Sequence, residues 1–219
     1  MLNFTRTLAE LDQFLLGAGV TLFVSLLGAV FGMAVGLVLF FMREASWKSV
    51  RAVAHVYISF VRGTPLLVQI FLVYYALPGL TGIDFAPFTA GVLALSLNSG
   101  AFAAEIIRGG LSRVPFGQYE AADALGLPRF VTWLKVILPQ VGRSILPPLL
   151  NEFTLLVKAS TLLSVIAVVD LTRTAQNIMN VTYRPVEAFI IAAVIYFIML
   201  FALSTLARRL EKRFRAQRS

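Results

Sequence analysis

The chain has 219 residues, of which 58% are hydrophobic and only 14% charged, whereas an ordinary soluble domain carries roughly 25% charged residues. That leaves too little polar surface to cover a water-soluble globule, so the composition specifies an integral membrane protein built as a single domain, residues 1–219. The net charge of +8 raises nucleic acid as a partner, but no aromatic interleaving or fold cue speaks for it, and the absence of Cys excludes disulfides, thiolate metal sites and a thiol nucleophile.

Charge-free intervals mark the membrane segments, because a spanning helix needs about 20 apolar residues. The first interval runs from Phe14 to Met42. It is far longer than the roughly 7–15 residues of a signal-peptide core, and it follows Glu10 and Asp12 rather than a basic stretch, so it reads as a retained helix. His55 is the single histidine; with no second His beside it, it reads as an ordinary cytosolic-side residue, and no metal site is expected. The stretch RGTP, residues 62–65, reads as an elbow where the chain enters the membrane, with Pro65 in the first turn of the second span, Gly63–Ile83. The turn PGLTGIDFAP then leads into a third span, Phe85–Ala104, which makes spans two and three a hairpin. The fourth, Pro148–Val169, carries Glu152 and Lys158, and the fifth is Ala188–Ala207.

Five crossings put the termini on opposite sides. Fifteen of the 19 Lys and Arg then fall on one side, in residues 43–62, 108–143 and the tail RRLEKRFRAQRS; Arg6, Arg173 and Arg184 fall on the other. The bias places the C-terminus and the long 108–143 loop in the cytoplasm and the N-terminus outside. The basic balance is thus mostly topology, with the tail also suited to membrane lipid.

Loops as long as 108–143 are uncommon without structure of their own. QYEAADAL is a run rich in helix formers. Gly126 stops it by taking the left-handed conformation without strain, and Pro128 opens a second helix, PRFVTWLKVIL. That helix presents Phe130, Trp133, Leu134, Ile137 and Leu138 on one face, with Pro139 ending or kinking it. On this reading two short helices form a rigid knob that presses on a partner; an amphipathic linker lying on lipid fits the same pattern.

Ionisable residues inside spans are rare and mark function. Glu152 and Lys158 are six residues apart, about 240° around a helix, so they do not pair along one face. Glu152 shares its face with Leu156 and the small Ala159, which leaves room for the ammonium of an amino acid; a structural ion pair or hydrogen bond is the alternative. Lys158 is suited equally to a substrate carboxylate, to snorkelling, or to Glu152 of another subunit. Asn98, in SLNSGA, fits helix packing and substrate contact equally, and Gln69 reads as an interhelical hydrogen bond.

The segment EAA, three residues, Gly, nine residues, VILP resembles the EAA signature of ABC-importer permeases: Glu120, Ala121, Ala122, Gly126, Leu138 and Pro139 match, and Val136 stands where Ile is usual. FVRGTPLLVQIFLVYYALPGL, LALSLNSGAFAAEIIRGGL and LPPLLNEF are similar to permeases of the polar amino-acid uptake group. The resemblance implies an all-α, five-helix, type I importer-like permease in a bacterial inner membrane. It also implies that those six residues form a coupling helix seated on a cytosolic ATP-binding subunit dimer, with a second permease subunit, identical or paralogous, and an extracytoplasmic solute-binding protein as further partners. The resemblance carries over Glu152, Asn98 and Ser160 as pocket residues for an amino-acid substrate, with Lys158 beside them. KAST has Ala159 where an acid is expected, which argues against arginine and for a neutral polar or acidic amino acid.

The chain holds no GxxxxGK[ST] phosphate loop, so ATP is expected on the partner subunit and no cofactor on this one. A self-sufficient secondary transporter or channel would need an ion relay and usually an internal repeat; only Glu152 and Lys158 offer the first, and no convincing repeat supplies the second. An enzyme fails on inventory, with no Cys, no His in a span and no paired carboxylates within one span.

Overall fold

The computed structural model describes residues 4–215, and all its regular structure is helical. A short α1, Thr5–Leu8, precedes α2, Leu11–Glu44. At 1.5 Å per residue, the 34 residues of α2 reach about 50 Å, well beyond a hydrocarbon core of about 30 Å. After Glu44 comes α3, Lys48–Gly63, which the sequence pattern did not suggest because charges break its apolar run. Its face Ala54, Ile58, Val61 packs on Leu39, Ala101 and Ala104, while Lys48, Arg51 and His55 stay exposed.

The helical stretch Leu66–Thr81, α4, follows at a bend of 114°. The expected second span therefore begins at Leu66 rather than Gly63, and Pro65 stands before the first turn rather than in it. Thr64 (φ −119°, ψ 149°) is extended because a residue before proline is sterically pushed out of the helical region, and Pro65 (ψ 136°) is extended as well. A π-helical turn, Leu72–Ala76, interrupts α4, and Gly82 (φ 70°) closes it in the left-handed conformation.

Helix α5, Pro87–Leu111, runs beyond the expected Ala104 through Glu105 and Arg108. It packs on α2 through small residues spaced one turn apart. A Cβ on Gly28, Gly32 or Gly36 would lie 2.9 Å from Leu95 Cβ, 2.8 Å from Ser99 Cβ and 2.6 Å from Ala103 Cβ, respectively. Such close backbone approach is how helices associate where lipid tails are as apolar as the side chains.

Then come α6, Phe116–Ala124, and α7, Arg129–Ile166. The second loop helix and the fourth span, expected to be separate, are one helix of 38 residues. Pro139 does not end it: the π-helical turn Thr132–Ile137 lies just ahead, and a wider turn gives the proline ring room against the carbonyl four residues back. Pro147 and Pro148 also lie inside α7, as membrane helices allow. Its last turns, Ser160–Ile166, tighten to 3₁₀ and stop at Ala167, which is left-handed at φ 64°.

The stretch between the expected fourth and fifth spans, residues 170–187, contains an amphipathic helix, α8, Leu171–Thr182. Its Leu171, Ala175 and Ile178 pack against Phe14 and Ala18 of α2 and Ala188, Ile191 and Ala192 of α9, Pro185–Arg215. Helices α2, α5, α7 and α9 are long and apolar enough to cross a membrane; the bent pair α3–α4 gives the fifth crossing if it counts as one. The basic tail is followed to Arg215, and its remaining residues, 216–219, lie outside the described residues.

Candidate functional site

The segment between α5 and α7 folds as a tight helical hairpin. Gly126 is left-handed at φ 67°, its N–H donates to the Asp123 carbonyl (3.0 Å), and the Leu127 N–H donates to the Ala122 carbonyl (3.0 Å). This pair of bonds is a Schellman cap, which satisfies the last carbonyls of α6 while reversing the chain. Ala122 is buried inside the hairpin; the Tyr119 ring meets Trp133 edge-on at 6.5 Å, and Gln140 bonds Gln118 at 3.3 Å. At its base, α5 and α7 cross at Gly110, whose missing side chain leaves room for Ile145, and Arg113 and Ser144 bond across the crossing.

Of the six residues expected to couple to a partner, Glu120, Ala121, Gly126, Leu138 and Pro139 are exposed and only Ala122 is buried. Around them stand Phe116, Leu125 and Phe130, each more than 70% exposed. Ile137, expected on the open apolar face, is fully buried, because the hairpin closes over it.

Inside the helical bundle the four expected pocket residues have different surroundings. Asn98 is buried, and its amide donates to Gln69 Oε1 at 2.8 Å. Gln69 in turn donates to the carbonyl of Val61 (2.8 Å) and the hydroxyl of Thr64 (2.9 Å). These two amides therefore tie the bend between α3 and α4 to α5. Replacing Gln69→Leu would leave the Val61 carbonyl and the Asn98 amide without partners. Roughly 1–3 kcal/mol is lost for such a buried orphan, so a melting temperature several degrees lower in detergent is expected; an unchanged melting curve would mean water replaces the lock.

Ser160 is fully buried at the junction of the α and 3₁₀ parts of α7, where its hydroxyl donates to the Val157 carbonyl at 2.9 Å. Helices α5 and α7 are antiparallel, with Gly91 against Leu163 and Gly110 against Ile145. This register puts Asn98 level with Leu156, between Glu152 and Ser160. Glu152 is half-buried and Lys158 exposed; among the described residues neither side chain has a hydrogen-bond or ion-pair partner, and none of the four bonds another. Asn151, Leu155 and Lys158 form an open face of α7 next to Glu152.

Two polar clusters went unnoticed in the sequence. Glu105 gathers Arg43, Arg108 (2.7 Å) and Arg62 (4.0 Å) from three helices. At the other end of the bundle, buried Asp170 caps α8 by accepting from the Arg173 N–H at 2.8 Å and receives the Tyr196 hydroxyl at 3.3 Å. Burial pushes its carboxyl above the usual aspartate range, and these hydrogen bonds oppose that rise. The signal available was an Asp immediately before the amphipathic run that starts at Leu171, an N-cap pattern.

Residues 28–216 match the family described as the binding-protein-dependent transport system inner membrane component. The glutamine transport permease GlnP of Escherichia coli K12 is 41% identical over 198 residues, 90% of each chain. The arginine transport permease ArtQ of Bacillus subtilis 168 is 35% identical over 215 residues, 98% of each chain. Among solved structures, the crystal structure of an amino acid ABC transporter with histidines superposes with a TM-score of 0.91 at 42% identity, covering 97% of this chain and 99% of that one. The inward-facing MetNI methionine transporter, at 16% identity and a TM-score of 0.76 over 94% of this chain and 98% of that one, shares the fold.

Proposed function

The chain belongs to the family of binding-protein-dependent transport inner-membrane components, and from that membership we propose that it is the permease subunit of an ATP-driven importer of a neutral polar amino acid. The observation that carries the coupling half of this reading is the hairpin: Leu125 and Phe130 stand exposed beside a turn held rigid by the Gly126 cap, and Phe116 stands exposed at the start of α6. Large apolar side chains clustered on a polar surface mark a docking site, and a cytosolic ATP-binding dimer is the partner. ATP is bound and hydrolysed there, because this chain holds no phosphate loop. The subunit thus needs no cofactor and catalyses nothing itself.

The positive-charge bias orients the hairpin to the cytoplasm and residue 11 to the outside. A second permease subunit faces the open side of α7, so that Glu152 and Lys158 of each half line a shared pathway with Ser160 and Asn98 behind them. A solute-binding protein delivers substrate at the opposite membrane face, where α8 lies. ATP-driven closure of the partner dimer draws the two hairpins together and shifts the pathway between inward and outward states, each ligand contributing only its differential affinity for the two.

Glutamine is the first substrate to test. It is the substrate in the name of the Escherichia coli relative, and Ala159 takes a negative charge away from the pocket that a cationic substrate would want. The experiment is uptake of labelled glutamine by the complex, co-purified with its ATPase and binding protein and placed in proteoliposomes. Excess glutamine is expected to compete strongly and excess arginine weakly; strong preference for arginine would overturn the substrate. Glu152→Gln is expected to weaken apparent substrate affinity about tenfold or more, the scale of one lost charge-assisted hydrogen bond, while the ATPase still co-purifies.

A further inference from the structure

We propose that the groove between α2, α3 and α5 is a binding site for an anionic phospholipid, with its phosphate at Arg62 and Arg108 and an acyl chain in the groove. The groove has a volume of about 340 Å³ and is lined by Ala34, Val35, Val38, Leu39, Tyr57 and Leu97. The one polar group on its wall, the Tyr57 hydroxyl, is already spent on the Leu97 carbonyl at 2.9 Å. A polar solute would find nothing to bond there, whereas a hydrocarbon chain loses nothing.

Each of the three walls leads to the same charged cluster. Arg43 follows Leu39 by four residues on α2, Arg62 follows Tyr57 by five on α3, and Glu105 follows Leu97 by eight on α5. At 1.5 Å per residue these are steps of about 6–12 Å, the separation between a lipid's phosphate and the upper part of its chain. In the cluster one carboxylate meets three guanidinium groups, so positive charge is left over. Arg43 is largely buried on Glu105, but the Arg62 and Arg108 side chains remain 47% and 49% exposed. Arg62 lies 4.0 Å from the carboxylate, beyond hydrogen-bond range, and its fork sits over the Phe102 ring at 5.7 Å. Its donors are thus held in place and unspent, the state in which a guanidinium takes up phosphate. Lys48 and the 74%-exposed Trp47, at the start of α3, are residue types that favour the headgroup layer.

The site depends on the orientation proposed above only for assigning it to the cytoplasmic leaflet; binding is read without transport. The test is native mass spectrometry of the purified complex titrated with phosphatidylglycerol or with phosphatidylcholine of the same chains. Retention of phosphatidylglycerol about tenfold or more above phosphatidylcholine is expected, on the scale set by two basic residues at a headgroup. Arg62→Gln with Arg108→Gln is expected to remove that preference, and Val38→Trp, which fills the groove, to reduce retention of both lipids. Cross-linking of the unmodified complex with phosphatidylglycerol carrying a photoreactive acyl chain covers the case of variants that fail to assemble; label is expected on residues 34–39 and at Tyr57. Equal retention of the two lipids by the unmodified complex, or label confined to other helices, would overturn the proposal.

Discussion

Gly36→Val is expected to prevent the subunit from reaching a stable folded form, the largest effect of any single substitution considered. Helices α2 and α5 touch along their length, and at Gly36 the contact is with the opposing chain itself. A Cβ there would sit 2.6 Å from Ala103 Cβ, 3.0 Å from the Gly100 carbonyl and 3.1 Å from the Ala104 nitrogen. Two of these three atoms are backbone, and the third is a methyl with no rotamer to change. Relief therefore requires the helices to move apart, which also unpacks Gly32 from Ser99 and Gly28 from Leu95. Overpacking a core typically costs about 1–3 kcal/mol, and separating a whole helix pair lies at or above the top of that range. The measurement is the yield of monodisperse protein in detergent and its melting temperature. Gly19→Val is the control: Gly19 lies on the same helix with nothing within 4 Å of its missing Cβ, and near-normal yield is expected. Equal behaviour of the two variants would mean that the close packing of α2 on α5 is not what holds the bundle.

Gly126→Val is expected to leave the protein folded and to uncouple uptake from ATP hydrolysis. Nothing lies within 4 Å of the Cβ position at Gly126, so the substitution meets no neighbour. Its whole effect is on the backbone: φ is +67°, a conformation that costs L-residues about 1–2 kcal/mol and a β-branched residue more. Once the turn relaxes, the Schellman bonds to Ala122 and Asp123 are lost and the exposed Leu125 and Phe130 change position relative to each other. An anchor side chain withdrawn from a docking surface commonly costs about 2 kcal/mol, equivalent to a factor of roughly 30 in binding. Uptake in proteoliposomes should fall by about that factor, with membrane insertion normal and substrate-stimulated ATP hydrolysis lost. Fully coupled uptake would show that the hairpin turn does not carry the force.

The two glycines differ in how visible they were. Gly126 is legible because its reason is local: a helix stop two residues before a proline needs a left-handed residue. The stripe Gly28, Gly32, Gly36 is just as plain in the sequence, yet it was not read as a contact, because its meaning lies in Leu95, Ser99 and Ala103 on another helix. The expected pocket shows the same limit. Asn98 read equally well as packing or as a ligand contact, and its amide proves to be engaged with Gln69, at 2.8 Å. Gln69 was read correctly as an interhelical hydrogen bond because a buried amide in a span has few other options.

Composition and charge by themselves determined the membrane class and the approximate spans, and local residue preference the helix break at Gly126, since transfer free energy and backbone preference act residue by residue along the chain. Tertiary structure alone decided which of those elements join. Pro65 breaks a helix and Pro139 does not, although the steric rule is the same for both: Thr64 is free to extend, whereas a π-helical turn ahead of Pro139 keeps α7 continuous for 38 residues. In lipid, with no water to satisfy a broken turn, such adjustments preserve backbone hydrogen bonds. The assembly of Arg43, Arg62 and Arg108 on Glu105 was likewise beyond the sequence. Residues 43, 62 and 105 meet only because α2, α3 and α5 pack side by side, and no local pattern encodes the register of that packing.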